Sequence, residues 1–236
     1  MALTELIKKK NLKTVIIILS TAGLFTLHRY LGSLNFFATN VYRPSLFKNM
    51  QASSQYYRWS VAFVLYFILP FLIIKLGFRE KLRDYGLFIK KPLIALFVTL
   101  LGVAIVSPFL YTGSKAPEFI AMYPAAHNAA TSRYLFVKSS LFYFFFYIGY
   151  EFLFRGYLFM GTKDDIGEWQ AISVSTLATV ILHVNTPIKE MALSFLIGIV
   201  FPLIVKKFRS IWPVVFLHAY IGIAFDYWVI MNSSGF

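Results

Sequence analysis

Long apolar runs alternate along this chain with short polar, mostly basic segments. A helix needs roughly 20 predominantly apolar residues to cross about 30 Å of hydrocarbon. The runs at about 14–33, 57–76, 93–112, 134–160, 170–186, 191–205 and 211–231 meet or approach that length. The pattern predicts an all-α fold, a polytopic transmembrane helical bundle of seven or eight spans. The eighth would lie in 34–56 or 113–133. The run at 134–160 exceeds a straight crossing, so it should tilt, kink or begin in the interface. The run at 191–205 is short and carries Gly198 and Pro202, which predicts an interrupted helix packed against protein or a wet cavity. The segments 34–56 and 113–133 can be ordered caps or flexible lids.

Composition sharpens this picture. The 236 residues are 58% hydrophobic and only 14% charged, against about 25% charged in a soluble domain. The net charge of +13 falls in loops between apolar runs, as membrane headgroups and topology signals require. Membrane lipids are therefore the expected contact, and no nucleic acid is. With no cysteine, thiolate nucleophiles and thiolate metal sites are excluded. The first run follows "IKKKNLK" without a small-x-small cleavage site, which reads as a retained anchor. The basic residues around Lys8 to Lys13, Lys75 to Lys91 and Lys206 to Arg209 fall in alternate loops, which places the N-terminus in the cytoplasm.

Ionisable groups inside spans cost about 2.5–3.5 kcal/mol each on insertion scales. They are few here: Glu151 and Arg155 in the fourth run, His183 in the fifth, His218 and Asp226 in the seventh, with Glu190 at the edge of the sixth. Glu151 and Arg155, four apart on a helix, face the same way and can pair. Each histidine alone can be a cross-helix hydrogen bond. Together, a carboxylate and two imidazoles on three spans could converge in one pocket and activate a water. His183, His218 and Glu151 also have the donor chemistry of hydrolytic zinc, but the chain has no His-Glu-x-x-His pattern. A transporter would more often show matched interrupted helices.

"YEFLFRG", "ILHVNTP" and "IWPVVFLHAY" follow one another at about 30- to 35-residue spacing. In order and placement they resemble the motifs of the CPBP family, the CAAX-processing and bacteriocin-immunity membrane proteases also called Abi. Those motifs are Glu-Glu-x-x-x-Arg, Phe-x-x-x-His and His-x-x-x-Asn/Asp. The likeness covers roughly residues 134–231, leaving 1–133 as generic helices and loops and 232–236 as a tail. It implies a metal-independent intramembrane endopeptidase of the CAAX prenyl protease type, acting on a membrane-associated or prenylated peptide without a cofactor. In bacteria it implies a plasma-membrane protein with a role in peptide maturation or immunity.

Carried over residue by residue, the second Glu falls on Glu151, the Arg on Arg155, and the histidines on His183 and His218. The catalytic set expected is Glu151, His183 and His218. Tyr150 stands where the family has its water-activating Glu, Thr179 where it has Phe, and Gly222 where it has Asn or Asp. Asp226 lies one turn, about 6 Å, beyond Gly222. Two readings stay open. Either Glu151 has taken over as base with Tyr150 as a hydrogen-bond donor, or Glu151 keeps a structural bridge to Arg155 and the protein binds peptides or partner helices without cleaving them.

Overall fold

A computed structural model describes residues 9–233. Lys8, part of the basic group preceding the first span, and residues 234–236 of the tail lie outside the described residues. Among the described residues the regular structure is helical and no strand occurs. Helix α1 is Lys9–Leu31, and a short helix α2, Leu34–Phe36, runs into a π turn at Phe37–Val41. Helix α3, Met50–Phe78, alternates α and π turns. Helix α4 is Pro92–Gly113 and α5 a single turn at Pro117–Ile120. Helix α6 starts at Arg133–Glu151, continues through a π segment at Phe152–Met160 and ends in Gly161–Ile166. Then come α7, Glu168–Leu182, α8, Ile188–Phe208, and α9, Trp212–Ser233.

Five of these, from Leu12–Leu31 in α1 through α3, α4, α8 and α9, are long and apolar enough to cross a membrane. The chain is an integral membrane protein of the helical kind. Helix α7 has 15 residues, about 22 Å at 1.5 Å per residue, which falls short of the hydrocarbon thickness. The segments 34–49 and 114–132 hold only short turns, so neither supplies an eighth spanning helix.

Helix α6 is the axis of the bundle. Every residue from Tyr147 to Thr162 is buried, so this stretch is surrounded by other helices on all sides, as its unbroken apolarity demands. Its core cluster joins Ile17 of α1 and Leu65 and Tyr66 of α3 to Phe201 of α8 and Val214 of α9. Within the fourth run the helix is continuous and holds a widened π segment at Phe152–Met160. Such segments often occur at functional sites.

The interruption expected at Gly198 and Pro202 is absent. Helix α8 runs unbroken for 21 residues with Pro202 inside it. Gly198 serves close packing instead: a Cβ there would meet Thr176 of α7 at 2.7 Å, so the glycine lets the two helices approach. Membrane helices accommodate proline because neighbouring helices satisfy the freed backbone groups.

The loop between α4 and α6 is an ordered cap. The Tyr123 hydroxyl donates to Glu190 Oε2 at 2.9 Å, and the Ala125 N–H donates to Asp226 Oδ1 at 3.0 Å. Lys189 pairs with Glu118 at 2.8 Å, and the Tyr56 hydroxyl donates to Asn128 at 3.0 Å.

Candidate active site

The π segment begins one residue after Glu151, so residues 150 and 151 sit where the helix changes pitch. Their side chains point to different places. Glu151 and Arg155 are completely buried, with Arg155 Nε 3.3 Å from Glu151 Oε2. The pairing read from the four-residue spacing is therefore present. The other carboxylate oxygen of Glu151, Oε1, lies 2.5 Å from His218 Nδ1 on α9. A carboxylate accepts, so the Nδ1–H of His218 is the donor and Nε2 is the ring nitrogen turned away from Glu151. The Arg155 guanidinium has no hydrogen-bond partner among the described residues. Its faces are covered by the rings of Tyr150, 5.5 Å away, and Phe201, 5.8 Å away, which are favourable cation–π neighbours.

His183 closes α7 as its C-terminal cap. Its backbone N–H reaches the Val180 carbonyl at 2.9 Å, and its Nδ1 lies 2.8 Å from the Thr179 carbonyl. Since a carbonyl only accepts, Nδ1–H is again the donor and Nε2 is left free. Asn185, with φ 83°, takes the left-handed turn into α8, a conformation asparagine tolerates better than most residues.

A cavity of about 830 Å³ opens among α3, α4, α6, α7, α8 and α9 beneath the loop cap, with Tyr150, Thr179, His183, Glu190 and His218 in its wall. That volume lies within the usual range for small-ligand sites. Glu151 is not part of the wall. The expected trio thus meets only in part: both histidines face the cavity, while Glu151 stands behind His218 and touches it. Adjacent residues on a helix point about 100° apart, which is why Tyr150 takes the cavity-facing place and Glu151 the buried one. The Tyr150 hydroxyl makes no hydrogen bond of good geometry and has Thr179 and Arg155 as polar neighbours.

Gly222 lines the same wall, and Tyr147 explains it. A Cβ at 222 would collide with the Tyr147 hydroxyl and ring, so the tyrosine fills the space a larger side chain would need. Tyr147 also lies against His218, with ring centroids 4.5 Å apart. Sequence reasoning missed Tyr147, one turn before Glu151 in a run of six aromatics. Only the glycine opposite could have hinted at it. Asp226 does not join the histidines; its carboxylate holds the loop cap through Ala125. Among the described residues no group of three or more His, Asp or Glu is placed to hold a metal ion.

Fold and site together define a helical membrane protein with a carboxylate-backed imidazole at the wall of an open cavity. Residues 133–224 match the family of type II CAAX prenyl endopeptidases, Rce1-like. This segment carries α6 to α8, the first part of α9 and all three motif positions. Neither the curated proteins nor the solved structures give a significant match to the chain.

Proposed function

We propose that this protein is an intramembrane endopeptidase that hydrolyses a membrane-associated or lipidated peptide, with His218 as general base. The observation that carries this reading is the 2.5 Å contact between Glu151 and His218 Nδ1 at the cavity wall. A carboxylate on Nδ1 fixes the tautomer, orients the ring and stabilises the imidazolium, as in other carboxylate–histidine pairs. Glu151 is then a positioning residue, not the base. His218 Nε2 takes a proton from water, and the water oxygen bonds to the peptide carbonyl carbon. The Tyr150 hydroxyl donates to the developing oxyanion. Nε2 of His183 accepts the water's other proton as a hydrogen bond and so orients it. The imidazolium returns its proton to the leaving amine as the C–N bond breaks, giving a carboxylate and an amine.

In this reading α6 and α7 complete a seven-helix intramembrane bundle with a cytoplasmic N-terminus, in a bacterial plasma membrane. The test is to incubate purified protein with prenylated and unprenylated peptides, with and without chelator, and to look for new termini by mass spectrometry. Cleavage that disappears in His218→Asn supports the reading; no cleavage of any membrane-tethered peptide overturns it. A second reading rests on Tyr150 and Gly222. With no carboxylate at 150 and no amide at 222, the same cavity would hold a peptide or partner helix without cutting it. Tight peptide binding without new termini would select that alternative.

A further inference from the structure

A groove of about 350 Å³ runs between α7 and α8 and shares no lining residue with the cavity that holds the histidines. Ile172, Thr176 and Val180 of α7 and Phe195 and Ile199 of α8 line it, with Trp169 at one end. Trp169, Leu177 and Phe195 on its walls are more than half exposed, so the groove faces the surroundings of the bundle. Its shape follows from the sequence. The short connection 183–187 makes the two helices antiparallel, which sets Thr176 opposite Gly198 and Glu168 opposite Lys206. On α8, Phe195, Ile199, Pro202 and Lys206 fall on one helical stripe. The rise along α7 from Trp169 to Val180 is about 16 Å, which is the depth of one leaflet in a hydrocarbon layer of about 30 Å.

The Trp169 end of the groove is charged and the rest is not. Lys206 pairs with Glu168 there, their side chains 48% and 31% exposed, and a pair so exposed is weak and leaves the ammonium free to take a second acceptor. Lys207 and Arg209 follow in the same turn, where the Arg209 N–H returns to the Lys206 carbonyl at 3.4 Å. Both side chains are exposed. Lys207 lies by the Phe208 ring, and neither cation has an acidic partner among the described residues. Three cations thus stand against one acid at the mouth of an apolar groove. Basic residues at a helix C-terminus also suit its dipole, but the dipole does not call for a leaflet-deep groove beside them. A packed protein helix could fill the groove, yet it has no use for the excess positive charge.

We propose that this groove binds one anionic phospholipid, with an acyl chain along α7 and α8 and its phosphate at Lys206, Lys207 and Arg209. Basic sites between membrane helices suit anionic headgroups, and a tryptophan at the boundary is a usual anchor at headgroup level. The site is independent of peptide hydrolysis and stands whether or not the protein cleaves anything.

Trp169 lines the groove and reports on its occupant. The full-length protein would be placed in phosphatidylcholine nanodiscs, with increasing fractions of phosphatidylglycerol or of phosphatidylcholine carrying brominated chains, which quench tryptophan on contact. Trp169→Phe supplies the background from the other tryptophans. The Trp169 signal should be half quenched at about twenty-fold less brominated phosphatidylglycerol than phosphatidylcholine, since each of the two unpaired cations is worth about five-fold. Lys207→Gln with Arg209→Gln should bring that ratio close to one. Ser173→Phe, which fills the groove from an exposed position, should remove the preference with the cations in place. Equal quenching by both lipids in the native protein overturns the anionic site without reference to any variant. A preference that survives the loss of both cations overturns the headgroup assignment, and one that survives Ser173→Phe overturns the placing of the chain. Quenching by neither lipid means that protein, a second copy or another helix, covers the groove, and overturns the lipid.

Discussion

Replacing Glu151 with Gln tests the centre of the site. The substitution keeps the volume and an acceptor for His218 Nδ1–H but removes the charge facing Arg155. Both side chains are completely buried, 3.3 Å apart, so no water compensates the guanidinium that remains. Removing one partner of a buried pair costs about 3–5 kcal/mol, a large part of the roughly 5–15 kcal/mol that holds a typical fold together. Glu151→Gln should therefore sharply lower the yield of folded protein. Replacing a whole buried pair by apolar groups is often close to neutral. Glu151→Gln with Arg155→Met should then recover most of the loss, giving a coupling of about 2–3 kcal/mol in the double-mutant cycle. The assay is chemical unfolding in detergent followed by tryptophan fluorescence, with peptide hydrolysis measured on the same samples. In the folded double variant the imidazole loses its carboxylate, and turnover should fall by about 10²–10⁴-fold, the scale seen when such an orienting carboxylate is lost elsewhere. A coupling below about 0.5 kcal/mol would refute the buried-pair reasoning. A double variant with native turnover would show that Glu151 takes no part in the chemistry.

His183→Ala and His218→Ala should each leave the bundle folded, since a cross-helix hydrogen bond in membrane proteins averages about 0.6 kcal/mol, yet abolish hydrolysis; active variants would end the catalytic assignment. Tyr150→Phe should cut turnover by about 10²-fold with little change in KM if the hydroxyl donates to the oxyanion, and Tyr150→Glu should raise turnover if the lineage has lost its water-activating acid. Native turnover in Tyr150→Phe removes the donor role, and a Tyr150→Glu variant no faster than the native protein removes the lost-acid explanation. Gly222→Asn should misfold because its side chain runs into Tyr147, and pairing it with Tyr147→Ala should restore folding; a stable single variant would show that the ring moves aside. Lys189 holds the Glu118 carboxyl below the usual carboxylate range. A depressed pKa contributes above its unfolded value and is lost as pH falls through the folded one. Hydrogen exchange of 117–123 should accordingly accelerate only below about pH 4, and exchange that stays flat to pH 3 would show that the cap does not depend on this pair.

Sequence alone determined the class of protein, because hydrocarbon thickness and the cost of buried charge leave few ways to arrange so apolar a chain. It located Arg155, His183 and His218, since charges in apolar runs stand out, and it placed Glu151 beside Arg155, since a four-residue spacing is a local geometry. It misjudged α8, where Gly198 and Pro202 read as a break but serve close packing against α7 within an unbroken helix. The division of labour between residues 150 and 151 was out of its reach. Neighbours on a helix differ by about 100°, and only the packing of α3, α8 and α9 around α6 decides which one meets the cavity and which one Arg155 and His218. The fit of Tyr147 against Gly222, 75 positions apart, depends on which distant side chains meet, and tertiary packing alone sets that.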